Sequence, residues 1–384
     1  MMENRRQSNL EMLRIVSMLL IVMSHCDEIF GLDSLYSRSL GMNKIITDWL
    51  HIGGQIGVGC FILISGYFMV EQRVSARKLL KLAGEVWFYA ISIWLVWALW
   101  TVLQGQIDAD EFFTATKKAL FPILSSHYWF VTAYIILMVL SLFFNIFIHS
   151  LNQQQYQAFL GTLLTVFVVI GGGIPSVLPK MFEGRLIPVF IMYFIAGYIR
   201  RFGNLNVRNA SRHFVIAFIG YALLFASFYF ITYLGLKFNS RTIMDQRYFY
   251  RALNSPLVVV ICIELFTGFL KLDMGNRKWI NTLASCTLGV YLLHCNSILM
   301  GGLTKVFPIY RESRPPFVFL YSLISVAIIY AAASLIDYIR QKSVEKRWMA
   351  FLDRHLEPFE VNVRKTAMKA WAFLEGAMKK YYKM

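Results

Sequence analysis

The chain has 384 residues, of which 57% are hydrophobic, 16% are aromatic and only 16% are charged, and its formal net charge is +16. This composition excludes an ordinary soluble domain and predicts an all-α, polytopic integral membrane protein embedded in a lipid bilayer. Positive charge in the loops and tail of such a protein serves its orientation, so we expect no nucleic-acid partner. The five cysteines lie in or beside apolar segments without paired loop spacing, which predicts neither a disulfide framework nor a metal site.

The first apolar segment, residues 10–30, carries two ionisable side chains, Arg14 and His25. It lacks a small-residue cleavage site, which favours a retained first helix over a signal peptide. Eleven helical steps advance about three turns plus about 20°, so both side chains project from nearly the same stripe, about 16 Å apart along the axis. A cation and an imidazole aligned in this way suit a site that runs through the membrane. The alternatives are a snorkelling Arg14 and a His25 at a hydrated helix end.

Ten apolar stretches follow one another with short loops, and they predict about ten transmembrane helices. Their predicted positions are 10–30, 52–70, 84–103, 128–148, 157–173, 187–199, 213–235, 256–271, 283–300 and 317–339. An even number places both termini on one side, and that side carries about twice as many Lys and Arg residues as the other. We therefore predict that both termini are cytoplasmic.

We expect two units, a transmembrane domain over residues 1–341 and a basic amphipathic cytosolic tail over residues 342–384. The tail is either bound to anionic headgroups or solvated. The sequence leaves the oligomeric state open.

Several residues deeper in the chain are candidates for substrate binding, and most of them have a structural alternative. Ser65 either positions a substrate or marks a close helix contact. His127 and Trp129 stack on a sugar or belong to an aromatic belt. Arg251 belongs to a basic outer cluster that binds an anionic group or lipid headgroups. A further candidate is Glu264, a possible carboxylate partner of Arg14 or of a histidine. The mid-membrane His294 is either a site residue or a neutral histidine hydrogen-bonded to a neighbouring helix.

Six motifs occur in a characteristic order and spacing over residues 9–300. They are NLEMLR at 9–14 with His25 eleven positions after Arg14, GVGCFILISGY at 57–67, HYWF at 127–130, FIAGY at 194–198, NSP at 254–256 and SCTLGVYLLH at 285–294. In this combination the chain resembles membrane acyltransferase family 3, whose ten-helix members O-acetylate bacterial cell-surface polysaccharides and lipid-linked sugars.

The resemblance implies a donor, an acceptor and a location. The donor is cytosolic acetyl-CoA, the acceptor is a sugar hydroxyl on a glycan or lipid-linked sugar, and the location is the bacterial inner (cytoplasmic) membrane. Arg14 then orients the donor, and His25 acts as a general base or a transient acyl carrier. Tyr291, in the last motif, joins the substrate-binding candidates.

Many relatives carry an Arg-x-x-Arg pair after the second span, whereas this chain has Arg73, Arg77, Lys78 and Lys81. We expect these cations to contribute to donor binding, although lysine lacks the planar fork of arginine, and they also fit ordinary positive-inside charges. The alternative function is a transporter, flippase or assembly protein for lipid-linked sugars. A flippase has no physical need for the Arg14–His25 arrangement.

Overall fold

The structure is a computed structural model that describes residues 8–36, 38–72, 74–105, 108–125, 127–173, 185–203, 209–309, 313–355, 365–366, 368–369 and 371–372. Every regular element in these ranges is a helix. The α-helices are α1 Ser8–Ser24, α2 Cys26–Phe30, α3 Leu32–Tyr36, α4 Met42–Met69, α5 Ala76–Gln104, α6 Ala109–Leu120, α7 Trp129–Ser150, α8 Gln153–Leu163, α9 Gly171–Gly173, α10 Leu186–Phe202, α11 Ala210–Lys237, α12 Arg241–Asp245, α13 Pro256–Leu270, α14 Lys278–Ser285, α15 Thr287–His294, α16 Ser297–Val306, α17 Pro315–Arg340 and α18 Lys346–His355. Two π-helical stretches, Leu164–Ile170 and Gln341–Glu345, and a 3₁₀ turn, Phe249–Arg251, complete the list of elements.

Seven helical segments of the described chain are long and apolar enough to cross a membrane, and a bent pair brings the number to eight. Their outer faces expose side chains that a soluble protein would bury, such as Val96 at 72%, Leu103 at 73% and Phe218 at 71%. The chain is therefore a multi-pass, all-α membrane protein. Helices α1 and α10 have 17 residues each, near the lower limit of about 17 residues for a span. The count of ten spans stays a prediction.

Several helices differ from the sequence-based boundaries; α5, for example, begins at Ala76 instead of 84, and the expected span 10–30 is interrupted after Ser24. Two further differences bear on buried charges and on the site. Helix α4 begins at Met42, ten residues before the expected start at 52, and its added turns contain Lys44 and Asp48. These two charges are fully buried and lie 2.5 Å apart, so the helix carries them as a pair, which a hydropathy window cannot detect. The expected span 283–300 is broken after His294, where α16 turns away by 84°.

The first helix is held in the middle of the bundle by its contact with α4. Glycines at positions 53 and 57 lie on one face of α4, and a Cβ atom at Gly57 would overlap the carbonyl of Ser17 on α1. Small residues at this spacing let two helix backbones approach closely. The α1–α4 pair forms the frame on which Arg14 and His25 are mounted.

The segments expected on one side of the membrane meet at one end of the bundle. Ser8 donates a hydrogen bond to Asn281 at 3.0 Å, and Lys81 forms an ion pair with Glu345 at 2.6 Å. The side chain of His149 lies 3.0 Å from the carbonyl of Val70. We call this the Arg14 end. That it faces the cytosol stays a prediction.

Helix α17 continues through the π-helical stretch into α18, giving one helical run of 41 residues, Pro315–His355. Trp348 of α18 donates a hydrogen bond to the carbonyl of Leu80 at 3.3 Å, and its ring fills the space above Gly84 of α5. Residues 342–355 thus pack against the transmembrane bundle. The division into units at residue 341 stays a prediction, and most of the chain after 355 lies outside the described residues.

Candidate active site

A cavity of about 670 Å³ opens among α1, α4, α5, α7, α14, α15 and α17 at the Arg14 end. Four residues singled out from the sequence line it, namely Arg14, Ser65, Lys81 and Tyr291. Five of its lining residues are Lys or Arg and two are Glu, so the cavity carries excess positive charge. Such a cavity can accept an anionic ligand.

The two arginines of this cavity differ in how their charges are used. Arg340 is nearly buried and is held by Glu85 at 3.0 Å, Asp337 at 2.7 Å and Glu345 at 3.0 Å, so its charge is used inside the protein. Arg14 has a side chain that is 30% exposed and lies 3.5 Å from Glu11, which is too long for a strong hydrogen bond. The guanidinium of Arg14 is therefore available to a ligand.

The second part of the site is a pair of histidines from distant parts of the sequence. His25 directly follows α1 and His294 is the last residue of α15, so both lie where a helix is interrupted. The Nδ1 atom of His25 lies 3.0 Å from the Nε2 atom of His294. His294 is 1% exposed, whereas His25 is partly exposed. Interrupted backbone inside a membrane is tolerated where it is buried in protein or lines a cavity.

A backbone contact assigns the tautomers of this pair. The Nδ1 atom of His294 lies 2.6 Å from the carbonyl oxygen of Val290. Because a carbonyl can only accept, Nδ1 of His294 carries the proton, and its Nε2 atom is left with a lone pair. That lone pair accepts the Nδ1–H of His25. The Nε2 atom of His25 is consequently the basic atom of the pair.

Tyr291 contacts both parts of the site. It lines the cavity, and its ring centroid lies 6.1 Å from that of His294, one turn later on α15. After the helix break, Asn296 accepts a hydrogen bond from the backbone N–H of Ile298 at 3.0 Å and donates one to the hydroxyl of Tyr128 at 2.8 Å. These bonds fix the bend that presents His294 to His25.

A buried ionic cluster lies at the opposite end of the bundle, and the sequence analysis missed it. Lys44 contacts Asp48, lies 3.7 Å from Asp33 and donates a hydrogen bond to Tyr248 at 3.1 Å, while Arg247 pairs with Asp33. Burial raises the pKa of Asp33, but the Tyr248 hydroxyl, Arg247 and Lys44 together bring that pKa below its usual value. The i, i+4 spacing of Lys44 and Asp48 was the available signal.

Two other predicted donor-binding cations, Arg77 and Lys78, are not among the residues that line the cavity. Arg77 is 51% exposed and pairs with Asp353 at 2.5 Å. The ammonium of Lys78 donates a hydrogen bond to Gln72 at 2.8 Å. Arg73 lies outside the described residues.

Four of the predicted substrate-binding residues, Glu264, Trp129, Arg251 and His127, belong neither to the cavity lining nor to the histidine pair. Glu264 does have a histidine partner, but it is His213, at 2.6 Å. The ring of Trp129 stacks against the guanidinium of Arg185 at 4.8 Å, and Arg251 lies 5.3 Å from the ring of Tyr248.

His127 packs against Tyr128, with ring centroids 4.4 Å apart. Burial, assisted by the charge of Lys118, lowers the pKa of His127 to about 4. His127 is therefore neutral at physiological pH.

Comparison with known families identifies the chain. A family model described as an acyltransferase domain matches residues 7–334. No curated protein and no solved structure matches the chain. The matched range contains Arg14, His25 and His294 and most of the cavity, and it favours acyl transfer over the transport function that composition left open. The chain therefore belongs to membrane acyltransferase family 3 and is an acyltransferase.

Proposed function

We propose that this acyltransferase moves an acetyl group from cytosolic acetyl-CoA to a sugar hydroxyl of a cell-surface polysaccharide or lipid-linked glycan in the bacterial cytoplasmic membrane. One observation carries the proposal. Tyr291 lines the cationic cavity that contains Arg14, and its ring packs against His294 of the histidine pair. In that pair, the Nε2 atom of His25 is the basic atom. Acyl transfer between a charged donor and a neutral hydroxyl requires these two parts.

The cavity suits the donor by size and by charge. Its volume of about 670 Å³ lies within the range of about 300–1,000 Å³ common for small-molecule sites. Arg14, Lys278 and Lys342 line it and offer cationic donors to the phosphates of coenzyme A. A guanidinium fork binds such oxygens bidentately, which gives Arg14 the leading role.

The transfer step follows from the tautomer of His25. Its Nε2 lone pair takes the proton of the sugar hydroxyl as the hydroxyl oxygen attacks the carbonyl carbon of the thioester. The carbon–sulfur bond then breaks, and the coenzyme A thiolate receives the proton held by His25. Acetyl and proton are both transferred, and the imidazole returns to its starting form. A transient acetyl group on Nε2 of His25 is the covalent variant of the same path.

His294 acts on this step through His25. By accepting the Nδ1–H of His25, it holds the ring in the tautomer and orientation that aim Nε2 at the acceptor. It also stabilises the imidazolium that forms when Nε2 is protonated. We assign His294 as a positioning residue.

Acetyl-CoA binding to the purified protein, measured by isothermal titration calorimetry, tests the donor side. Losing a charge-assisted bidentate contact costs about 1.5–3 kcal/mol, so Arg14→Lys should weaken binding by roughly 10-fold or more. Arg354→Lys is the matched control, because Arg354 is exposed on α18. The control should bind like the parent protein. Failure of the parent protein to bind acetyl-CoA, or equal affinities for the two variants, would contradict the proposal.

A further inference from the structure

Three side chains with metal-binding atoms meet at the helix break beside the histidine pair. They are His25, His294 and Cys295, and their ligand atoms all lie within 4.8 Å of one another. The Nδ1 of His25 and Nε2 of His294 are 3.0 Å apart, and the Sγ of Cys295 lies 3.3 Å from His294 Nε2 and 3.7 Å from His25 Nδ1.

These separations are close to those of a tetrahedral zinc site. With Zn–N bonds of about 2.0–2.1 Å and Zn–S bonds of about 2.3 Å, neighbouring nitrogens lie about 3.3 Å apart and nitrogen and sulfur about 3.5 Å apart. The three observed distances deviate from these values by about 0.4 Å or less, which small rotamer adjustments absorb. We propose that His25, His294 and Cys295 form a site for Zn²⁺ with one open coordination position.

The surroundings of the cluster support ligation. The carbonyl of Val290 accepts the Nδ1–H of His294 at 2.6 Å, which directs the Nε2 lone pair of that histidine toward the cluster. Metal-bound histidines commonly have such an outer hydrogen bond. His294 and Cys295 are neighbours at the end of α15, where the 84° bend turns both side chains toward His25. On binding, the thiol of Cys295 releases its proton to water and ligates as thiolate.

Occupation of this site has a consequence for catalysis. Zn²⁺ takes the lone pair of Nδ1 on His25, so the imidazole proton moves to Nε2, the atom that serves as the base. The bound ion therefore inhibits acyl transfer. This consequence rests on the proposed function, whereas the binding of the metal does not.

Cobalt absorption spectra of the purified, metal-stripped full-length protein test the site. Co²⁺ with a thiolate ligand gives a charge-transfer band, and tetrahedral Co²⁺ gives intense visible bands. We expect both bands to saturate at one equivalent of Co²⁺ and to disappear when Zn²⁺ is added. Absence of saturable bands in the parent protein would overturn the proposal.

Two cysteine variants sharpen this test. Cys295→Ser should abolish the charge-transfer band and weaken Co²⁺ binding at least about 100-fold, since even outer-shell changes cost about 10–100-fold. Cys286→Ser is the matched control, because Cys286 is also a free cysteine but contacts Gln341 instead. Retention of the band in Cys295→Ser, or its loss in Cys286→Ser, would refute the assignment of Cys295.

Activity measurements separate the metal site from the catalytic role. One equivalent of Zn²⁺ should inhibit acetyl transfer by the parent protein, and Cys295→Ser should require at least about 100-fold more Zn²⁺ for the same inhibition. Saturable cobalt binding together with unimpaired or increased transfer would overturn the inhibition and the role of His25 as base, while leaving the metal site in place.

Discussion

Replacing His294 by leucine removes the acceptor that holds His25 in its basic tautomer. The structure gives His25 Nδ1 a partner at 3.0 Å, and His294 is only 1% exposed, so water has little access to take over its role. In the variant, the Nδ1–H of His25 loses its acceptor. The proton can then move to Nε2, which would leave the site without its base.

The expected effect follows from the cost of that lost bond. An unsatisfied buried donor costs about 1–3 kcal/mol, and each 1.36 kcal/mol of barrier is about tenfold in rate. We therefore expect kcat for acetyl transfer to fall by roughly 5–150-fold in His294→Leu. The affinity for acetyl-CoA should stay unchanged, because the proposed donor contacts are made by the cavity cations. His294→Gln keeps a carbonyl acceptor and should recover much of the loss.

The assay is transfer of radiolabelled acetyl from acetyl-CoA to membrane glycan by purified protein, with the affinity for acetyl-CoA measured separately. His149→Leu is the matched control, since His149 also has one backbone contact, with Val70 at 3.0 Å, but that contact is at the Arg14 end of the bundle and does not involve His25. Normal kcat in His294→Leu would refute the positioning role. An equal fall in the control variant, or a parallel loss of acetyl-CoA affinity, would point to a general structural defect instead.

Three further predictions concern the fold and its orientation. Lys44→Met leaves Asp48 charged and buried, so it should lower the free energy of unfolding in detergent by about 3–5 kcal/mol. Adding Asp48→Asn should restore most of that stability. An unchanged melting temperature in Lys44→Met would count against the ion pair. Glu71→Cys, at the Arg14 end, should react with a membrane-impermeant thiol reagent only after cells are permeabilised, and labelling of intact cells would reverse the predicted topology. Gly57→Ala should lower the thermal stability, because the added Cβ meets the α1 backbone. Gly161→Ala is the control and should not lower it, because a Cβ there meets open space. Equal stability of the two variants would contradict the α1–α4 packing.

The sequence identified the residues whose type conflicts with their surroundings. Arg14, His25 and His294 stand out because ionisable side chains are costly in apolar spans, and the structure places Arg14 in the cavity and the two histidines in contact. Glu264 was expected to have a cationic or histidine partner, and it has one, in His213. The side-chain type revealed the need for a partner but not which partner it would be.

What the sequence could not provide is the pairing of distant segments. His25 and His294 are separated by 269 positions, and their contact depends on a helix break at Cys295 that has no Gly or Pro to announce it. Nothing in the sequence distinguishes Cys295 from the other cysteines of the apolar segments, and only the helix break places its side chain beside the histidines. Arg77 and Lys78 are further examples. Only the structure shows that Arg77 pairs with Asp353 of α18 and that Lys78 donates a hydrogen bond to Gln72.

The role of His25 is tested most directly by the O-acetyl content of surface glycan in cells that carry His25→Ala as their only copy of the protein. Removing a general base lowers the rate by about 10²–10⁴-fold. The variant should insert and express normally, and it should bind acetyl-CoA with the parent affinity. Its glycan should nevertheless lose the O-acetyl signals in the NMR spectrum. Retention of most of these signals at normal expression would show that His25 is not the catalytic base.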